Sequence, residues 1–357
     1  MKKYYPILLS KTGELIALHY LAQKVKQDIC PVIEMLENTI YKAVKVKKEP
    51  TGEYKYDDFF EKTLTEHWSF SKNDIILDVS LFDVTSSNIA LIKRIFNNLL
   101  KAGVNVIPAV QKNSERIYLD LVEELIRKYE CKICIRTSNS SGGYLNMNKP
   151  VTEMLKRLNI STNNTILLVD IGQVTKEDYN DKAAIAGFAI EKLTTPVNEW
   201  SAVVVSSGSF PKDLTDFAVS DKPHKLRRYE KDVFQELITS PALTKIKYGD
   251  YGTKNAIYEE ANFAGSISVK YTTDDNYVIY RGKLSGDHIH GHGQYITHAK
   301  SLVRSTDYSG SAFSWGDSKI DEISRQDVNA EKKNPGSPQT WVEYSQNHHV
   351  TLLHSIL

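Results

Sequence analysis

The sequence predicts an α/β chain folded as a (β/α)8 TIM-like barrel, with a β-hairpin-containing insertion after the eighth strand. Three observations carry this expectation. Short apolar, β-branched runs alternate with helical patterns from the first residue to about residue 250. The runs are apolar nearly throughout, as strands buried on both faces must be. Their number stops at eight, and no glycine-rich fingerprint follows the first, which favours the barrel over a doubly wound open sheet.

The strand-like runs are Tyr5–Leu9, Cys30–Glu34, Ile75–Val79, Asn105–Val110, Ile133–Thr137, Thr165–Asp170, Ala202–Ser206 and Ile246–Tyr248. Between them, Leu15, Leu18, Ala22 and Val25 form the apolar stripe of a first helix. Ile89, Ile92, Phe96 and Leu99 form another, after Ser86 and Ser87 as caps. A helix starting at Ser114 repeats Ile117, Leu121 and Leu125, and Thr175 with Asp178 makes a capping-box-like start for a later one. Residues 1–250 thus read as the barrel core. Residues 251–340 read as an insertion or lid at the carboxyl face of the barrel, with a hairpin from Ser266–Tyr271 and Tyr277–Arg281 and a helix near Tyr295–Val303. Residues 341–357 read as a closing helix packed on the barrel.

Composition narrows the function classes. Of 357 residues, 45 are Lys or Arg and 44 are Asp or Glu, a net charge of +1. A generic nucleic-acid coat or an anionic-membrane binder needs a dense basic field, so nucleic acid is an unexpected partner. Residues 251–357 hold ten basic and twelve acidic residues, so the insertion is no basic docking module either. Three cysteines are too few for a disulfide framework, which fits a cytoplasmic protein. Cys131 and Cys134 have CxxC spacing inside a β-rich run, where residues three apart point to opposite faces, so they read as strand residues. No apolar stretch approaches a membrane span.

Chemistry is expected where the strands end, because barrel active sites lie at the carboxyl ends of the strands. Lys11, Glu34, Asp78, Arg136, Asp170, Ser209 and Asp250 all end or follow predicted strands. Four carboxylates, Glu34, Asp78, Asp170 and Asp250, suit acid–base work or a divalent metal, so they are the catalytic candidates; the metal itself and any other cofactor stay open. Lys11, Arg136 and Arg228 suit a phosphate or carboxylate on the ligand. His288, His290 and His292 alternate in a glycine-rich loop and are not counted in the site. No Walker A loop, HExxH or GxSxG is present.

A family resemblance rests on YYPILLSKTGE near the start, PVIE, ILD, LLVD, SGSFP, Arg228 with Glu230, GDYG, YRG, FSWGD and a terminal Trp341 followed by NHH at 347–349. In this combination the chain resembles the beta protein family, named after a protein of T-even phages and found in phages and bacteria. The family pattern picks out Lys11, Glu14, Glu34, Asp78, Asp170, Ser209, Phe210, Pro211, Arg228, Glu230, Asp250, Tyr251, Arg281, Asp317, Trp341, His348 and His349; of these Lys11, Ser209, Arg228, Tyr251, Arg281, His348 and His349, with Arg136 from the strand ends, are the candidate ligand-binding residues. It implies a role in phage–bacterium conflict. Two functions follow as expectations. One is an enzyme, hydrolase- or phosphodiesterase-like, acting on a phosphorylated or nucleotide-like small molecule. The other is a non-catalytic recognition component of an anti-phage defence system, working with a protein partner from a neighbouring gene.

Overall fold

The computed structural model describes residues 2–40, 58–68, 73–138, 143–260 and 265–357. It divides into two compact units. The first comprises Met1–Lys11, Lys26–Ser207 and Tyr229–Asp250; the second comprises Thr12–Val25, Gly208–Arg228 and Tyr251–Leu357.

The first unit is a closed barrel. Its strands are β1 (Tyr4–Leu9), β2 (Val32–Glu34), β3 (Asp74–Asp78), β4 (Asn105–Val110), β5 (Ile133–Thr137), β6 (Thr165–Gln173) and β7 (Ala202–Gly208). The next strand, β8 (Ser220–Arg227), belongs elsewhere, and β9 (Lys247–Asp250) closes the ring between β7 and β1. The pairings β1–β2, β2–β3, β3–β4, β4–β5, β5–β6, β7–β9 and β9–β1 are parallel. All eight expected runs are barrel strands, and β1, β2, β5 and β7 are buried at every position.

Helices follow the strands, with α3 (Glu37–Ile40) and α4 (Asp58–Trp68) after β2, α7 (Asn148–Arg157) after β5 and α9 (Tyr229–Leu237) ahead of β9, and two of the others show a clear apolar stripe. In α5 (Ile89–Lys101), Leu91, Ile92, Ile95, Phe96 and Leu99 are buried. In α6 (Arg116–Tyr129) the buried stripe is Tyr118, Leu119, Leu121, Val122 and Leu125. The caps differ from the expected ones. Asn88, not a serine, precedes α5, and its Oδ1 accepts from the Thr85 N–H at 2.8 Å. Ser114 lies ahead of α6, where its Oγ accepts from the Gln111 N–H at 2.8 Å. At α8 (Tyr179–Glu191) Asp178 Oδ1 accepts from the Thr175 N–H at 2.7 Å, which is one half of the expected box. The predicted first helix breaks at 20–22 into α1 (Thr12–His19) and α2 (Gln23–Asp28). The reading of the CxxC pair as strand residues holds for Cys134, which is buried on β5, whereas Cys131 lies two residues ahead of that strand and is partly buried; desolvation pushes the Cys134 thiol well up and that of Cys131 to about 11.

The second unit is built on an antiparallel sheet ordered β10 (Ser268–Thr272), β11 (Asn276–Arg281), β8. The expected hairpin is β10 and β11, and the expected helix is α10 (Gln294–Val303). β8 was not anticipated. Its pattern is polar and mostly exposed, so it lacks the apolar signature that marks a strand in sequence. With α10, α11 (Trp315–Ser324) and α12 (Pro338–Ile356), the sheet encloses a core of Val269, Tyr271, Val278, Tyr280, Tyr295, Ile296 and Trp341, among others. Residues 251–340 and the closing segment 341–357 fall in this one unit. Thr12–Val25 and Gly208–Arg228 join them, although both lie inside the 1–250 span assigned to the barrel. The physical reasons are local: β8 pairs with β11, and α12 packs along α1, α11 and β10.

The FSWGD motif is explained by the packing of α11 on α12. Ser314 caps α11 by accepting from the Asp317 N–H, and the Gly316 N–H donates to Asn347 Oδ1 at 2.9 Å. A Cβ on Gly316 would lie 2.4 Å from the Tyr344 carbonyl oxygen, which is backbone and cannot move aside. Gly316→Ala is therefore expected to destabilise the protein by about 3 kcal/mol, read as a lower urea midpoint by the fluorescence of Trp315 and Trp341. An unchanged midpoint would show that the helices can part without cost.

Candidate functional site

Four of the predicted residues meet in the first unit. Glu34 closes β2, Asp78 closes β3, Arg136 is the penultimate residue of β5, and Asp170 lies on β6. The register pairs Glu34 with Asp78, so their strands end level. Arg136 Nη1 donates to Asp78 Oδ2 at 2.6 Å, and Nη2 donates to Glu34 Oε1 at 2.9 Å. Nη2 and Nε converge on Asp170 Oδ2 at 2.8 and 3.1 Å. The second oxygens of Asp170 and Asp78 are held as well. Asp170 Oδ1 accepts from the Gly172 N–H at 3.0 Å and from Ser206 Oγ at 3.3 Å, and Asp78 Oδ1 accepts from the Ser80 N–H at 2.8 Å. All four side chains are buried, with exposures between 2 and 6%.

Three carboxylates thus surround one guanidinium, a cluster with two more negative than positive charges. Arg136 was expected to neutralise a ligand's phosphate; instead it is engaged by three carboxylates of its own chain. Its planar fork suits this, since a guanidinium presents five donors in fixed directions. Among the described residues, no group of three or more His, Cys, Asp or Glu side chains is arranged to hold a metal ion. The centre of the carboxylate set is filled by the guanidinium.

Asp250 ends β9 fully buried and accepts from the Tyr4 hydroxyl through Oδ1 at 2.5 Å. Lys11 is exposed at the end of the first unit's opening segment. Tyr4 and Ser206 were missed in the sequence. Tyr4 sits at the start of its strand, where no active-site group is sought, and Ser206 was passed over for Ser209. The alternation that points Ser206 to the same side as Gly208 and Val204 was the available signal.

The remaining predicted residues belong to the second unit, where they are bound into its own fabric. Arg228, 1% exposed, donates through Nη1 to the Asp274 carbonyl at 3.0 Å and that of Thr273 at 3.3 Å, so it braces the turn of the β10–β11 hairpin. Ser209 Oγ donates to the Arg227 carbonyl at 3.3 Å. Arg281 donates to the carbonyls of Thr215 and Phe217. Tyr251 is buried against Gly208, whose Cβ would lie 3.2 Å from its ring. Both ring nitrogens of His348 face acceptors, Asp317 Oδ2 and the Thr272 carbonyl, each at 2.8 Å, and the ring stacks on Tyr271 at 3.8 Å. His349 Nδ1 pairs with Thr272 Oγ1 at 2.9 Å. Asp317 also accepts from the Tyr271 hydroxyl at 2.7 Å.

Two predictions follow from these contacts. Asp170→Asn places an NH2 group either against the Arg136 donors or against the Gly172 N–H, whichever way the amide turns. It is expected to cost about 2–4 kcal/mol in urea unfolding, whereas Glu34→Gln keeps an acceptor for Nη2 and costs less than about 1.5 kcal/mol. Equal losses would show that the cluster is held by charge alone. The second concerns His298, 2% exposed, whose ring nitrogens are both buried without a hydrogen-bond partner among the described residues. Burial, opposed by the Asp221 charge and aided by that of His288, lowers its pKa from 6.5 to about 4. Between those values the unfolded chain binds the extra proton, so stability rises with pH across the window and is lost as pH falls from 6.5 to 4. His298→Leu should flatten that limb, by about 3 kcal/mol at most, in unfolding curves taken at successive pH; a limb of unchanged slope would assign it to other groups.

No helix among the described residues is long and apolar enough to cross a membrane. Among solved structures, the chain is similar to the tryptophan synthase α-subunit of Pyrococcus furiosus. In one structure the TM-score is 0.40 at 11% identity, over 70% of this chain and 87% of that one. In another it is 0.41 at 12% identity over the same shares. Among curated proteins it is similar to Protein beta of Enterobacteria phage P4, 22% identical over 358 residues, covering 97% of this chain and 91% of that protein. The phage is P4 rather than the T-even phage that the resemblance suggested. The family described as Beta protein matches residues 4–354, and the chain belongs to that family.

Proposed function

We propose that this protein is a barrel enzyme acting on a phosphorylated or nucleotide-like small molecule, with hydrolase- or phosphodiesterase-like chemistry, in conflict between phages and bacteria. The observation that carries the reading is the buried cluster of Glu34, Asp78 and Asp170 around Arg136. Burying four ionised groups costs several kcal/mol per ion, and a well-packed apolar replacement is often as stable or more so. A barrel has no need of such a cluster for stability. It lies where barrels of this fold carry out chemistry, at the carboxyl ends of the strands. The phage P4 relative supports the biological setting.

In this reading Arg136 is a positioning residue. It holds three carboxylates in fixed orientations, while Glu34 and Asp250 act as the acid–base pair at the ends of β2 and β9. Cytoplasmic location and a small-molecule ligand belong to the same proposal, with Lys11 as a phosphate partner.

A second reading is a recognition component of anti-phage defence that binds a protein or nucleotide and leaves the effector step to a partner chain. One observation favours it: each group of the Arg136 cluster already has partners within the chain.

The test is turnover. Purified protein is incubated with a panel of phosphate esters and nucleotides and analysed by mass spectrometry, beside Glu34→Gln and Asp250→Asn. Both variants retain the acceptor that meets Arg136 or Tyr4, so their melting temperatures should stay within a few degrees of wild type. The enzyme reading expects product from wild type and a loss of about 10²–10⁴-fold in each variant. Ligand retained without turnover by all three proteins would establish the recognition reading instead.

A further inference from the structure

The second unit holds a partly buried cation whose close partners among the described residues are a carbonyl and an aromatic ring. Lys270, partly buried in the middle of β10, donates from Nζ to the Thr253 carbonyl at 3.2 Å and lies over the Phe210 ring, 4.6 Å from its centroid. Among the described residues, no carboxylate comes within 4.0 Å of this ammonium. Burial lowers its pKa from 10.5 to about 8, and Glu14 opposes the shift only at longer range. A carbonyl dipole and an aromatic face are weak compensation for a desolvated cation, since buried charges are normally paired.

A second unsatisfied group lies on the same stretch of chain. Gln346, 1% exposed on α12, has a buried Oε1 with no hydrogen-bond partner among the described residues. That oxygen is pressed onto Gly252: a Cβ there would lie 2.2 Å from it, and φ of +60° also selects glycine. Gly252 and Thr253 are adjacent, so the empty acceptor and the uncompensated ammonium flank one turn. The turn is held firmly, with the Tyr277 hydroxyl donating to the Gly252 carbonyl at 3.0 Å and Tyr277 packed edge-on against Phe210. Thr253 and Phe210 are buried.

We propose that the second unit carries a binding site for a small organic oxyanion, built on the Gly252–Thr253 turn, in which the Lys270 ammonium supplies the counter-charge and the Gln346 carboxamide oxygen accepts from a hydroxyl or N–H neighbouring the anion. Each unsatisfied group asks for one half of such a ligand, the cation for an anionic oxygen and the carbonyl for a donor. The site stands on the second unit alone and does not depend on what the barrel catalyses.

The experiment uses the full chain with three probes: inorganic phosphate, glycolate, and acetate, which lacks the hydroxyl. The readouts are melting temperature and the rate of Lys270 acetylation by acetic anhydride, followed by mass spectrometry across pH. Free protein should show an acetylation midpoint near 8. A bound anion should protect Lys270 and move that midpoint up by about one unit, because it favours the ammonium. Glycolate should stabilise more than acetate, and Gln346→Leu should erase that difference while leaving the anion effect. Lys270→Met should abolish all stabilisation by the probes, with the free protein melting as high as wild type or higher. Phosphate binding in preference to glycolate assigns a phosphate ester as the ligand, and the reverse a hydroxy acid. Equal stabilisation of wild type and Lys270→Met, no effect of any probe, or a Lys270→Met protein less stable than wild type without ligand would each overturn the proposal.

Discussion

The guanidinium of Arg136 is the point from which the barrel's interior chemistry is organised. Three carboxylates from β2, β3 and β6 converge on it, and without it they would repel one another in a space that water does not screen. The reverse also holds, since a bare arginine could not be buried to this depth. The strands fix the geometry. Glu34 and Asp78 are partners in the parallel register, and Asp170 is clamped from behind by Ser206 Oγ and the Gly172 N–H. Every lone pair so occupied removes freedom from the carboxylates. The result is a set of acidic groups with fixed directions, which is what pre-organised acid–base chemistry requires.

A different polar lattice holds the second unit. Asp317 at the start of α11 accepts from Tyr271 on β10 and meets His348 on α12, whose other ring nitrogen reaches the Thr272 carbonyl. Next to it, Asn347 takes the Gly316 N–H and donates to the Ala17 carbonyl at the end of α1. The motifs FSWGD and NHH are thus two sides of one junction that ties a sheet strand to three helices. Such motifs combine residues found both in active sites and in buried hydrogen-bond networks, and only contact geometry separates the two uses.

That ambiguity marks where the sequence could be read and where it could not. The eight strands were legible because burial on both faces leaves continuous apolar runs, and the polar residues ending them stood out against that background. Glu34, Asp78, Arg136 and Asp170 were reached in this way, and the structure brings them together. Their mutual engagement was not legible, because one-dimensional order does not say whether a cation faces a ligand or a neighbouring carboxylate. β8 escaped because an exposed strand has no apolar alternation to show. The composition of the second unit escaped because Gly208–Arg228 joins it through the β8–β11 pairing, from Arg227 with Asn276 to Ser220 with Arg281, and Thr12–Val25 joins it through contacts with α12 at the far end of the chain. The Asn347 contact to Ala17 spans 330 positions.

Arg136 and Lys270 make opposite demands. Arg136 is met by three carboxylates, so an incoming anion would compete with ligands already fixed at 2.6–2.9 Å and would add charge to a cluster that is already negative. Lys270 is met by a carbonyl and a ring, with Glu14 acting only from beyond 4 Å, so an incoming anion would meet a cation that no carboxylate touches among the described residues. The number of positive residues cannot distinguish these cases, since both side chains are basic. What distinguishes them is whether the low-dielectric surroundings already contain the counter-charge. On that criterion the cluster at the strand ends is suited to moving protons, and the Gly252–Thr253 turn to holding an anion.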